Sequence, residues 1–387
     1  MTDWIARARD VAAKLAVDAV ERDRANAEPH AEAQLLREAE LPGLLVPAEY
    51  GGPGETWRTA LGVVREIARA DGSIAQLLGY HYVNQSNLWV AGRPAVRESL
   101  GRGTAENQWL WGDAVNPIDP ALTLTPDGDG YRLSGRKNFA TGASVGDITV
   151  IAGSLTTTGE PLLAAVFRDA PGITFGEDWD NLGQRLSASG SVTYDNVRIE
   201  PSLVIGSLDP ALTTARASLI TPAVQAVFGH FYLGIAEGAL AAAREYTKTV
   251  SRPWTLSDSP SAAQDPYVLA TYGELVSRLT AAAALADRVA GHLNAADARA
   301  DALTWEERGE LAEEIAALKV VTTEVALDVT SRVFELTGAR TTAAKHGFDR
   351  FWRNVRTHTL HDPVAYKRRE VGDHYLNGTF PAFTLYT

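Results

Sequence analysis

The chain is expected to be mainly α with a central β domain. Three observations carry this expectation. In the first hundred residues apolar side chains recur at helical spacing, as at Ile5, Val11, Leu15 and Val20. Near Trp109 the pattern changes to short alternating or apolar stretches divided by turn residues, which is the signature of a small β barrel or sandwich. From about residue 211 alanine-rich helical stretches return at roughly 213–250, 266–296 and 304–336. The resulting division is an N-terminal helical domain over 1–107, a central β domain over 108–208 and a C-terminal helical bundle over 209–387.

The elements follow in order. Within the N-terminal domain, LPGLLVPAEYGGPG (Leu41 to Gly54) holds three prolines and four glycines and is a loop. Helix resumes with TWRTALGVVREIARADGSIAQLLGYHYVNQSNLWVAG. In the β domain, DGDG (Asp127 to Gly130) is a hairpin turn, and YRLSGRKNFATG alternates in polarity. DITVIAGSL and LLAAVFRD are short apolar strands, and SVTYDNVRI alternates through Val192, Tyr194, Val197 and Ile199. The last long helix opens on Thr304-Trp-Glu-Glu307, a capping box in which both side chains satisfy free N–H groups. Long helices without heptads point to a four-helix bundle.

Composition narrows the function. A chain of 387 residues with 45% hydrophobic and 22% charged residues supports two or three packed domains. A net charge of −12 disfavours general binding to nucleic acid or to an anionic membrane. The absence of cysteine excludes disulfides, thiolate nucleophiles, zinc–thiolate and iron–sulfur sites, and a cysteine-linked flavin. The first residues are charged throughout, unlike a signal peptide, and no apolar run approaches a membrane span. The cytoplasm is the expected location.

The helix–β–helix order and five local motifs resemble the acyl-CoA dehydrogenase superfamily over essentially the whole chain. The motifs are LPGLLVPAEYGGPG, DGYRLSGRKNFATGASVGDITVIAG, VTYDNVRIEPSLVIG, EYTKTVSRPW and ELTGAR. FDRFWRNVRTHTLHDPVAYKRREVG (Phe348 to Gly372) is similar to the oxygenase branch typified by dibenzothiophene monooxygenase. That resemblance implies a two-component monooxygenase. It would take reduced flavin, FMN or FAD, from a separate NAD(P)H:flavin reductase. It would activate O2 through a flavin hydroperoxide and oxygenate a small aromatic or heteroaromatic substrate at sulfur, nitrogen or an indole-type carbon. The resembling family also implies a homotetramer.

Site residues follow from the same resemblance. Thr141 falls where the superfamily sets a hydroxyl against flavin N5, although threonine also favours strands for its own sake. His361, with His358 in support, falls on the oxygen side, where histidine can manage a proton near neutral pH. Arg252 and Arg340 match positions that hold cofactor phosphate at a subunit interface, and Asn116 and Trp111 lie where the β domain meets the ring. Tyr80 and Tyr82 lie on the helix that lines the substrate pocket, but with His81 between them all three cannot face one way. A metal at His358, His361 and His374 is the rival reading, without a metalloprotease pattern to support it. Asp362 lies near the position of a dehydrogenase base, so an acyl-CoA dehydrogenase-type flavoprotein stays open as an alternative, as does a non-catalytic scaffold of the same fold.

Overall fold

The computed structural model describes residues 2–116, 119, 122–207, 213–384 and 386–387, so the expected boundary between 208 and 209 lies outside the described residues. The N-terminal helices are α1 (Trp4–Ala16), α2 (Ala19–Ala25), α3 (His30–Glu38), α4 (Trp57–Ala70), α5 (Gly72–Ala91) and α6 (Pro94–Asn107). The helical stretch expected between Thr56 and Gly92 divides into two helices at Asp71. Its backbone is extended, and its carboxylate caps α5 by accepting from Ser73 N at 3.0 Å and Ile74 N at 3.2 Å.

The centre is one eight-stranded sheet in the order β6-β7-β3-β2-β4-β5-β8, with β1 pairing β4. The strands are β1 (Trp111–Ala114), β2 (Leu122–Asp127), β3 (Gly130–Lys137), β4 (Ile148–Leu155), β5 (Pro161–Phe167), β6 (Ile173–Phe175), β7 (Val192–Ile199) and β8 (Val204–Ser207). β1 and β2 lie end to end along one edge of β4, both parallel to it, while β5 takes the other edge antiparallel. Gly128 sits at φ +62° in the two-residue turn between β2 and β3, the left-handed conformation such hairpins require. The sheet has two buried faces. Leu124, Leu133, Ile151, Val166, Val192 and Tyr194 fill its curled interior. Trp111, Ile148, Val150 and Leu163 pack outward against Leu88 of α5 and Val96 and Leu100 of α6.

The C-terminal helices are α7 (Ile220–Thr249), α8 (Pro266–Ala298), α9 (Trp305–Thr337), α10 (Asp349–His358) and α11 (Val364–Asn377). The stretch before Ile220 is not regular α-helix, so α7 begins later than its sequence pattern. α9 starts on the expected capping box: Glu307 N donates to Thr304 Oγ1 at 3.2 Å, and Thr304 N donates to Glu307 Oε2 at 2.9 Å. α7, α8 and α9 pack side by side, with α11 along α9 and α10 across α7 and α9. α4 and α5 also pack on α7, so both helical regions share one hydrophobic core. Ala217–Thr249 is long and apolar enough by composition to cross a membrane, but its most apolar window is mostly buried inside the protein, so its apolar character is that of a core helix.

The sheet domain meets α10 backbone to backbone. A Cβ on Gly183 would fall 2.1 Å from the Arg353 carbonyl oxygen. Gly183→Ala is therefore expected to destabilise by about 1–3 kcal/mol through overpacking, read as a lower thermal unfolding midpoint. An unchanged midpoint would contradict this contact.

Candidate active site

α5 places two site residues one turn apart on the same face. Gln76 reaches the loop after β3, where its Nε2 donates to Thr141 Oγ1 at 3.3 Å. Tyr80 reaches the end of α10, where its hydroxyl lies 3.2 Å from His358 Nε2. Both are buried, as is Thr141, which is 3% exposed. The Thr141 loop is held to β1 by Asp113 N, which donates to the Thr141 carbonyl at 2.8 Å. The adjoining Phe139 sits at φ +56° with its ring exposed. Thr141 Oγ1 also lies 2.8 Å from Ser189 Oγ, in the segment preceding β7.

His358 is the last residue of α10, and both its ring nitrogens face tyrosine hydroxyls: Tyr232 at 2.8 Å from Nδ1 and Tyr80 at Nε2. Phe228 and Phe231 of α7 approach its ring edge-on, each with centroids 4.6 Å away. Burial, followed by the neighbouring His361 and Lys319, holds its pKa well below the usual histidine value, so it is neutral. The helix ends here, yet His361 N donates to the His358 carbonyl at 2.9 Å and the two imidazoles stack with centroids 5.5 Å apart. His361 is the open member of the pair, its side chain 40% exposed.

Asp362 does not serve the alternative role of a dehydrogenase base. It forms a buried ion pair with Lys319 of α9 and lies 3.3 Å from His361 Nδ1, while Gln225 Nε2 donates to it at 3.3 Å. Burial alone would raise its pKa. The His361 hydrogen bond and the Lys319 ammonium outweigh burial and hold the carboxylate well below its ordinary range, so it is a weak base.

Other expected residues separate. Trp111 is fully buried between sheet and helices, with its indole N–H donated to Thr104 at 3.0 Å. Tyr82 also lies apart from the His pair. It is fully buried and donates to the Leu41 carbonyl at 3.0 Å. Between the tyrosines, His81 bridges the Pro42 carbonyl (2.8 Å) and Trp111 N (2.9 Å), and burial pushes its pKa down to about 4. Asn116 gives its carbonyl to Lys137 Nζ at 2.7 Å. Arg252 and Arg340 are exposed just beyond the C-termini of α7 and α9, and no side-chain partner of either is found among the described residues. At 1.5 Å per residue the end of α7 lies roughly 25 Å from Tyr232 and the end of α9 roughly 27 Å from Lys319, so both arginines lie far from the His358–Asp362 segment of the same chain. No group of three metal-ligating residues occurs among the described residues.

Gln76, Asp113, Ser189, Phe228, Tyr232 and Lys319 join the site without having been singled out in the sequence. The one available signal was Gln76 four residues before Tyr80 in a helix otherwise rich in apolar residues. Asp113 is half-buried; burial pushes its pKa up to about 6 against the opposing pull of Val115 N, which donates to its Oδ1 at 2.9 Å, and of the nearby His361 and Lys137.

Residues 3–107 match the acyl-CoA dehydrogenase N-terminal domain, and 226–365 the acyl-CoA dehydrogenase C-terminal domain. The chain is 44% identical to dibenzothiophene monooxygenase of Mycolicibacterium goodii over 98% of this chain and 95% of that protein. It is 42% identical to a probable FMNH2-dependent monooxygenase, SfnC, of Pseudomonas putida over 99% and 97%. The FMN-bound structure of TdsC from Paenibacillus sp. A11-2 superposes with a TM-score of 0.96 at 38% identity, covering 100% of both chains. The chain belongs to the acyl-CoA dehydrogenase superfamily. Within it, its relatives are the flavin-dependent monooxygenases typified by dibenzothiophene monooxygenase.

Asp113 gives a pH test with a definite sign. Its folded pKa of about 6 exceeds the ordinary 3.8, so its contribution to stability is full below 3.8 and is lost as pH rises through 6. Asp113→Asn mimics the protonated form. It is expected to match the parent at acid pH and to exceed it at pH 8, with a ceiling of about 3 kcal/mol that cavity water reduces. Unfolding midpoints below pH 4 and at pH 8 that differ from the parent by the same amount would remove Asp113 from the buried site.

Proposed function

We propose that this protein is a two-component monooxygenase that uses reduced FMN and O2 to oxygenate a small heteroaromatic substrate at sulfur, nitrogen or an indole-type carbon. The observation carrying this is the convergence of Thr141 and the His358/His361 pair on one face of α5, through Gln76 and Tyr80. Indole-bound TdsC supports the substrate class, and the FMN-bound form supports FMN over FAD. The residues present suit the cofactor, because beside the Thr141 hydroxyl the buried Gln76 Oε1 lacks a hydrogen-bond partner. Bound reduced flavin supplies the electrons that activate O2.

The chain's own groups divide the remaining work. Thr141 and Gln76 hold the polar edge of the ring. His361 presents Nε2 to the reacting space, because Asp362 engages Nδ1 and Lys319 fixes Asp362. His358, neutral and enclosed, positions its stacked neighbour. Tyr80, Phe228, Phe231 and Tyr232 exclude water. Arg252 and Arg340, too distant within one chain, hold the cofactor phosphate of a second copy in a homotetramer. A separate NAD(P)H:flavin reductase supplies the reduced cofactor, and the enzyme works in the cytoplasm.

His361→Ala is expected to bind FMN nearly normally yet lose product by about 10²–10⁴-fold, releasing hydrogen peroxide instead. Thr141→Val should likewise uncouple. Full coupled oxygenation by His361→Ala would overturn the assignment. For the arginines, Arg252→Ala or Arg340→Ala should each weaken FMN binding by roughly 10- to 150-fold. Unchanged affinity in both variants, measured by fluorescence titration on folded protein, would remove them from the site.

A further inference from the structure

Thr141 is the end of a chain of three buried hydroxyls whose direction can be counted. Ser187 Oγ lies 2.8 Å from the Gln184 carbonyl oxygen, Ser189 Oγ lies 2.7 Å from Ser187 Oγ, and Thr141 Oγ1 lies 2.8 Å from Ser189 Oγ. All three hydroxyls are 3% exposed or less. A carbonyl cannot donate, so the Ser187 proton points to Gln184. Ser187 then accepts, and the Ser189 proton goes to it; its other acceptor, the Ser187 carbonyl at 3.3 Å, lies in the same direction. Ser189 in turn accepts from Thr141. Three protons fill three short contacts in only this way.

The far end is anchored. The Gln184 carbonyl also receives the Trp179 indole N–H at 2.8 Å and Ser187 N at 3.2 Å. Gln184 N donates to Asn354 Oδ1 at 2.7 Å, and its Nε2 donates to the Asn354 carbonyl at 3.1 Å. At the near end the Thr141 proton is committed, so this oxygen can only accept from anything else. Gln76 Nε2 takes one lone pair at a long 3.3 Å, which also fixes the orientation of that amide, and Gln76 Oε1 is left as a buried acceptor without a partner. Toward the site edge, Thr141 Oγ1 thus has no proton left to give, and Gln76 Oε1 stands beside it as a second acceptor.

We propose that the Ser187–Ser189 relay makes this site selective for reduced over oxidised flavin by fixing Thr141 as an acceptor. The proposal rests on the reading of Thr141 as the N5 contact. N5 carries a hydrogen in the reduced ring and a bare lone pair in the oxidised ring. An acceptor-only Thr141 satisfies the first and opposes two lone pairs in the second, which leaves a buried polar group unpaired. Ser187 and Ser189 are positioning residues, acting through Thr141.

The test is the ratio of dissociation constants for oxidised and reduced FMN, the latter titrated anaerobically, together with the midpoint potential of bound FMN. The parent is expected to favour the reduced form. In Ser189→Ala the Thr141 hydroxyl is released to donate, so oxidised FMN should bind tighter and the ratio fall about tenfold. That change lowers the bound potential by about 30 mV for a two-electron couple. Ser187→Ala leaves Ser189 its carbonyl acceptor at 3.3 Å, so its ratio should lie between parent and Ser189→Ala; this variant also decides the matter if Ser189→Ala does not fold. Thr141→Val should lose the preference differently, by weaker binding of reduced FMN. An unchanged ratio in both serine variants, with Thr141→Val altered, overturns the relay and leaves the Thr141 contact standing. A ratio unmoved in all three variants overturns the contact and the relay together.

Discussion

The site depends on one joint, where Gly183 and Gln184 of the sheet domain lie against Arg353 and Asn354 of α10. The backbones approach too closely for a Cβ at Gly183, and Asn354 clamps Gln184 at both its backbone N–H and its side-chain amide. Gln184 holds a left-handed conformation there, at φ +56°, which for a residue with a side chain persists only where its surroundings over-determine it. From Gln184 the hydroxyl chain runs to Thr141. From Asn354, one further turn of α10 leads to His358. The two halves of the site therefore share a foundation of two residues, and their separation is set by hydrogen bonds rather than by the compliance of a loop.

Around that joint the interior is more polar than an apolar core requires. α5 buries Gln76, His81, Asn84 and Gln85 among its apolar residues. Each buried polar group costs free energy unless it is paired, so a helix enclosed on all sides would hold fewer of them if stability alone were selected. The Lys319–Asp362 pair follows the same logic. Replacing a buried ion pair with apolar residues is often neutral or stabilising, whereas removing one partner is costly. Its position suits the site: it fixes the carboxylate that engages His361 Nδ1, and so leaves Nε2 as the nitrogen not held by Asp362.

The element order was legible because periodicity is a local property. The DGDG turn, the capping box at Thr304 and the strand from Val192 all lie where their patterns put them. Even the change of phase between Tyr194 and Val197 has a physical counterpart. An extra residue bulges β7 there, with Asn196 at φ +53°, and the inward series resumes in the opposite parity. The break at Asp71 was less visible, since a single aspartate between two helical stretches carries little signal. In the site, Thr141, Tyr80 and the His pair stood in recognisable motifs. Their partners did not. Tyr232 and Lys319 look like ordinary residues of long helices, and only the packing of α7 and α9 brings them to His358 and Asp362. Trp111 and Tyr82 had the right neighbours in sequence but point into the core, because strand and helix periodicity turn adjacent side chains to different faces.

The two histidines show how a short segment can give one residue type two chemical characters. His358 closes α10 within a ring of Tyr80, Phe228, Phe231 and Tyr232, where burial denies it a charge. Three residues later the helix has ended, and His361 stands partly open, with an ionised carboxylate at one nitrogen. The enclosed histidine is stacked against the open one, so the pair is reached from outside its aromatic surroundings only at His361. At the other end of α5's face the Thr141 hydroxyl is tied instead into the buried chain of Ser189 and Ser187, so the two ends of that face differ in what their polar groups can do.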